Sequence, residues 1–99
     1  MATLHLINAS SHSSSALLRC LYAATVGDTV LLIENGVFCA VAPTFARDAS
    51  KATGLNWCAL VDDARSRGIE HRLAPSITLV DDHAFVDLVT SHQPIVSWS

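Results

Sequence analysis

Apolar and polar residues fall in short blocks along this chain, and the block that organises the rest is Asp28 to Val37, DTVLLIENGV. Val30 to Ile33 is an uninterrupted apolar run with two β-branched members. Gly27-Asp28 punctuates one end and Asn35-Gly36 the other. Four apolar residues without alternation suit a strand covered on both faces, as in a parallel sheet. Such a strand needs helices above and below it. Glu34, Asn35 and Gly36 then stand at its C-terminal end, where open α/β sheets place their chemistry.

The remaining blocks follow the same logic in chain order. Leu4 to Ile7 reads as a first strand, followed by a serine-rich loop, Ala9 to Ser14. Ser13 or Ser14 can cap a helix from Ser15 to Ala24, because a serine hydroxyl accepts from a free first-turn N–H. Leu17, Leu21 and Ala24 make its apolar stripe. Asn35-Gly36 reads as a break, and Val37 to Ala42 as a short crossover helix ended by Pro43. Thr44 can cap a further helix, Phe45 to Thr53, with Gly54 as its stop. Leu55 to Val61 reads as the third strand, with Leu55, Trp57, Ala59 and Val61 on one face. Asp62 to Arg72 is charged, with a helical turn beginning at Asp62 and broken at Gly68. Ile77 to Val80 is the fourth strand. Asp81 or Asp82 caps a helix, Ala84 to Ser91, whose apolar face is Phe85, Leu88 and Val89. Pro94 stops it, and Ile95 to Trp98 reads as an edge strand. Alternating strands and helices predict one α/β domain over residues 1–99, built on a mainly parallel sheet.

Composition adds a second expectation. Hydrophobic residues make up 51 % of the chain and charged residues 15 %, against roughly 25 % charged in an ordinary domain. A domain this small buries only about two-thirds of its unfolded surface. The surplus of apolar residues therefore predicts a surface given to a partner, self or non-self. No apolar run reaches the ~18 residues of a membrane span. The first positive charge is Arg19, so no basic signal-peptide region is expected and the protein is read as cytoplasmic. Net charge is -3 with six Lys+Arg and no basic run, which argues against direct nucleic-acid binding.

Candidate chemistry rests on few residues. Cys20, Cys39 and Cys58 match no CxxC pattern and read as free thiols. Cys20 lies about 60° from the centre of the first helix's stripe, at ~100° per residue. That margin is compatible with partial exposure or a subunit interface. It sits late in the helix, where the dipole does not favour a thiolate. It is either a small buried hydrophobe, as most free cysteines are, or a reachable nucleophile. Cys39 and Cys58 read more simply as core thiols. The five histidines form no zinc spacing. His5 reads as a satisfied, partly buried imidazole, and His12 as a loop residue. A serine-hydrolase elbow and a glycine-rich phosphate loop are both absent, and no metal or cofactor is expected. Asp62, Asp63, Arg65 and Arg67 read as a solvated loop or as the polar rim of a docking surface.

Taken together, several stretches resemble the DsrH/TusB family. They are Leu4-His5 with Asn8-x-Ser10, Gly27-Asp28-x-Val30-Leu31-Leu32, Glu34-Asn35-Gly36-Val37 and Asp63-x-x-x-Arg67-Gly68. Ile77-x-Leu79-Val80-Asp81, Phe85-Val86-Asp87-Leu88-Val89 and a terminal Trp98 complete the series. Asn35 stands where the family usually has aspartate, and Asp82 where it often has tyrosine.

The resemblance implies a three-layer flavodoxin-like sandwich of about five mainly parallel strands with helices on both faces. It implies one of three homologous subunits of a heterohexameric cytoplasmic sulfur relay. The partners would be DsrE/TusD-like and DsrF/TusC-like subunits and a downstream sulfur-acceptor protein. Persulfide sulfur passed between cysteines serves 2-thiouridine formation in tRNA in one branch and dissimilatory sulfur oxidation in the other. The principal carrier cysteine of such complexes lies in the DsrE/TusD subunit. The sulfur-oxidiser DsrH subunit also has a cysteine in its first helix, and Cys20 falls there. Cys20 is therefore the candidate catalytic residue. Two roles remain open for the chain, a sulfur carrier acting through Cys20 or a scaffold that shapes a sister's site. A third class, a free-standing small-molecule binding module, would ignore such partners.

Overall fold

The computed structural model describes residues 1–99. Five strands form one wholly parallel sheet: β1 (Leu4–Ile7), β2 (Thr29–Leu32), β3 (Asn56–Leu60), β4 (Thr78–Val80) and β5 (Ile95–Trp98). Their order is β4-β3-β2-β1-β5. All four residues of β2 are buried, as a doubly covered strand requires, although it begins at Thr29 and leaves Ile33, half-buried, just beyond its end. The helices are α1 (Ala16–Ala23), α2 (Phe45–Ala49), α3 (Val61–Ser66) and α4 (Asp82–Ser91), with a 3-10 helix at Glu34–Val41. The result is a three-layer α/β sandwich of the flavodoxin-like kind.

Topology makes the two outer layers unequal. From β1 to β4 the strands advance in one direction across the sheet. Right-handed crossovers put every connection of such a series on one face. The larger core lies there, joining Ile7, Val30, Leu32 and Ala59 of the sheet to Leu17 and Cys20 of α1, Val37 of the 3-10 helix, Phe45 of α2 and Ala64 of α3. Only the connection from β4 back to β5 reverses direction, and it carries α4 to the other face. The core beneath α4 has four buried residues, Leu4, Leu31, Cys58 and Val80. No residue of α4 itself is fully buried.

Local chemistry sets the element ends. Ser14 Oγ accepts from the Ala16 N–H at 3.0 Å, and Asp81 Oδ1 from the Ala84 N–H at 2.8 Å. Each satisfies a first-turn donor. Gly68, at φ +70°, follows α3 and turns the chain away.

Five expectations are corrected. Asn35-Gly36 is no break, because the 3-10 helix starts at Glu34 and runs through it. Glu34 makes the turn instead, at φ 51°. Thr44 makes no side-chain cap, and α2 stops at Ala49 rather than Thr53. Val61 opens α3 instead of extending β3. Val89 stays exposed, so Phe85 and Leu88, joined by Ala84, form the packed face of α4.

Gly36 is required by proximity rather than by a turn. A Cβ there would lie 1.9 Å from the Ile7 carbonyl oxygen. That carbonyl already accepts the Ile33 N–H at 3.0 Å, so it cannot retreat freely. Gly36→Ala is expected to cost about 3 kcal/mol, the upper part of the range for overpacking. Urea unfolding reads this directly, and a loss below about 1 kcal/mol would mean that the contact yields easily.

Candidate functional site

The three thiols sit in different places. Cys20 is on the inner side of α1 and Cys39 in the 3-10 helix, while Cys58 in β3 faces the opposite layer. All three are free and buried. Cys20 has 0 % exposure, so the margin position expected from the helical stripe is not an open one. α1 packs against β5 as well as β1, and the Trp98 side chain joins the core that contains Cys20. A helical projection sees only its own helix and misses a strand contributed from 75 residues further on.

Burial also sets the protonation of the thiols. It pushes the Cys20 thiol up to about 12, with a smaller push from the Asp28 carboxylate. The thiol is therefore the form held at neutral pH. Cys39 is raised chiefly by burial, which the Ser11 contacts only partly oppose. Cys58 is raised by burial alone. None is primed as a nucleophile in this conformation.

Beside α1 stands a buried polar network. His5 Nε2 and Asp28 Oδ2 are 2.9 Å apart, and the Trp98 indole N–H donates to His5 Nδ1 at 3.1 Å. An indole nitrogen only donates, so Nδ1 must accept and the proton rests on Nε2, directed at Asp28. Asp28 also accepts the Thr3 and Thr25 backbone N–H groups, each at 3.0 Å. Burial alone would raise this carboxyl. The His5 bond, the two amides and the attraction of the His5 ring outweigh it and hold the pKa down at about 2. His5 is thus satisfied, as its sequence context suggests. Asp28, read from sequence only as punctuation, proves to be the buried carboxylate it serves. A Gly-Asp pair just before a fully apolar strand was the available signal.

A second polar group forms the rim at the C-terminal ends of β2 and β3. The Glu34 N–H donates to Asp63 Oδ2 at 2.6 Å. Arg67 Nε donates to Asn35 Oδ1 at 3.0 Å, and its Nη1 to the Asp63 carbonyl at 3.1 Å. Part of the cluster expected as a solvated loop is therefore a staple between the 3-10 helix and α3. Asp62 and Arg65 remain on the outside. His12 is exposed in the serine loop, where its N–H donates to Ser10 Oγ at 3.0 Å. No helix is long and apolar enough to cross a membrane.

The family model described as "DsrH like protein" matches residues 9–95. The chain belongs to the DsrH/TusB family. Protein TusB of Serratia proteamaculans is 31 % identical over 83 residues, 84 % of each chain. Protein TusB of Yersinia pestis is 32 % identical over 84 residues, 85 % of each. The solution structure of protein Tm0979 from Thermotoga maritima superposes with a TM-score of 0.67 at 25 % identity, covering 90 % of this chain and 92 % of that one. The DsrH match begins at residue 9, so it spans all three cysteines and Asp28 but not His5.

The native chain at neutral pH should label far more slowly with an aromatic disulfide reagent than the denatured chain, which exposes three thiols. Rapid native labelling at Cys20 would show that its cover opens readily. For Asp28 the folded pKa of about 2 lies below the ordinary 3.8. Its stabilisation is therefore complete above pH ~4 and lost as pH falls toward 2. Asp28→Asn should flatten that acid limb of the unfolding midpoint and lower the plateau by about 1–3 kcal/mol through weakened partners. An unchanged acid limb would assign the pH dependence to other groups.

Proposed function

We propose that this chain is a structural subunit of a cytoplasmic sulfur-relay complex, completing the assembly and shaping the reactive site of a sister subunit. Family membership supports the relay. The observation that supports the structural part is the state of the thiols. Sulfur transfer requires a thiolate to attack a donor persulfide and then present its outer sulfur to the next thiol. Cys20, Cys39 and Cys58 are all buried and held protonated. The sister subunits would be DsrE/TusD-like and DsrF/TusC-like proteins, with a separate sulfur acceptor downstream. Such an assembly would serve either tRNA wobble-uridine 2-thiolation or dissimilatory sulfur oxidation.

A second reading makes Cys20 a carrier of sulfur. One feature favours it. Cys20 lies on α1, a helix of only eight residues whose other side, at Leu18 and Tyr22, is open to solvent. A small displacement of one short helix would uncover the thiol.

Intact-protein mass spectrometry separates the readings. The chain is exposed to a persulfide donor alone and together with its two sister subunits. The structural reading expects sulfur on a sister subunit only, and unchanged sulfur flux through Cys20→Ser. A reducible gain of one sulfur on the Cys20 peptide, absent in Cys20→Ser, would overturn it in favour of the carrier.

A further inference from the structure

The end of β5 is held to the sheet by a bond that only one protonation state of His5 allows. β5 is an edge strand of four residues with β1 as its single neighbour. Its far end is fixed at three points. The Trp98 indole N–H donates to His5 Nδ1 at 3.1 Å, the Trp98 carbonyl accepts the Asn8 N–H at 3.2 Å, and the Ser99 carbonyl accepts from Arg19. The first of these can be switched. His5 is 3 % exposed and donates from Nε2 to Asp28. A second proton can therefore enter only at Nδ1, where the indole N–H already points. Two donors would then face each other in a buried place. Because the N–H lies in the plane of the indole, it is the ring's positive edge that meets Nδ1, and an imidazolium gains no attraction from it.

Few other charges surround this pair. By alternation along β1, His5 shares the face of Ile7, under α1. The turn before β2 brings Asp28 to it, while β2 and β5 set only Val30 and Val96 beside it. α1 carries Cys20, Tyr22, which points out to solvent, and Arg19, which reaches to Ser15 and Ser99. Asp28, held down at about 2, stays ionised near neutrality, and Cys20, pushed up to about 12, stays a thiol. Arg19 keeps its charge throughout. His92 lies on the opposite face, bonded to Thr29 Oγ1 at 2.9 Å and to the Leu88 carbonyl at 2.8 Å.

We propose that the Trp98 end of β5 is a proton-sensitive latch, closed while His5 is neutral and released when His5 takes a second proton at Nδ1. That proton strengthens the bond on the Asp28 side, where it makes an ion pair, and abolishes the bond on the Trp98 side. The imidazole stays and the indole leaves. Trp98 packs against the core that contains Leu17 and Cys20, so release removes a ring from that core and loosens the strand on which α1 packs. The latch uses side chains of this chain alone and does not rest on the function proposed above.

NMR on the whole chain from about pH 8 to about pH 5, where histidines ordinarily titrate, tests it. At the upper end the His5 ring nitrogens should report the Nε2–H tautomer. Toward the lower end they should report an imidazolium, and the Trp98 indole N–H signal should leave its bonded position. Exchange protection of the Asn8 amide, which bonds the Trp98 carbonyl, should fall at least about tenfold as the strand end opens. Glutamine offers the indole an acceptor and Asp28 a donor but takes up no proton in this range. His5→Gln should therefore keep the latch closed at every pH. Trp98→Phe keeps a ring in the core and removes the donor. It should show weakened Asn8 protection already at pH 8, with little further loss below, and it carries the test if His5→Gln proves unstable. A His5 that stays neutral throughout, or becomes charged with the Trp98 and Asn8 signals unmoved, would overturn the proposal. So would the same opening in His5→Gln, or a full pH response retained by Trp98→Phe.

Discussion

The fold turns on one buried negative charge. Asp28 stands where α1 has ended and β2 is about to begin, and its two oxygens are shared among three donors. Thr25 closes the turn on itself, Thr3 fixes the approach to β1, and His5 lies within β1. Through the His5 ring the same charge reaches Trp98 in β5. A carboxylate taken out of water is costly unless its lone pairs are met. Here they are met by the turn before β2 and by two residues of the first strand segment, so the charge ties those stretches together. Every buried side-chain nitrogen and oxygen has a partner. The network also has a direction: His5 must give its proton to Asp28 and keep Nδ1 bare for the indole. An asparagine at position 28 would turn an amide NH2 toward one of these donors and lose that bond.

Crossover handedness explains the unequal layers and, with them, the surface. Three connections crowd one face and bury it thoroughly. A single helix is left for the other, and it covers a core of four residues. The surplus of apolar residues noted in the composition is therefore not spread evenly. It emerges at Leu18, Tyr22 and Val26 on one side and at Val86, Val89 and Ile95 around α4 and the β5 edge. A protein this apolar is built to be covered.

Much of the architecture was legible in the sequence because it depends on local periodicity. The unbroken Val30–Ile33 run, the Leu17–Leu21 stripe and the Ile95–Trp98 edge strand appear where their patterns put them. Long-range placement was not legible. Cys20 looked marginal because helical angles cannot anticipate that β5 lies beside α1. Asn35-Gly36 looked like a break because such dipeptides usually turn the chain. Here the glycine is used for closeness to the Ile7 carbonyl, and a glutamate takes the strained turn. The charge pattern after β3 showed a polar rim, but not that Asp63 and Arg67 would fasten two helices together.

The position of β5 beside β1 has a consequence for how the chain is made. The first strand synthesised pairs on one side with the last, at Leu4 with Ile95 through Ile7 with Trp98. Pairings so distant in sequence slow folding, since the loop between them must close before they reward it. Until residue 98 has left the ribosome, β1 presents a bare parallel edge, His5 lacks its indole, and α1 lies over an unfinished sheet. The newborn protein thus passes through an interval in which α1 has yet to meet the last strand it packs against. During that interval the chain depends on whatever surrounds it to keep that edge from pairing elsewhere.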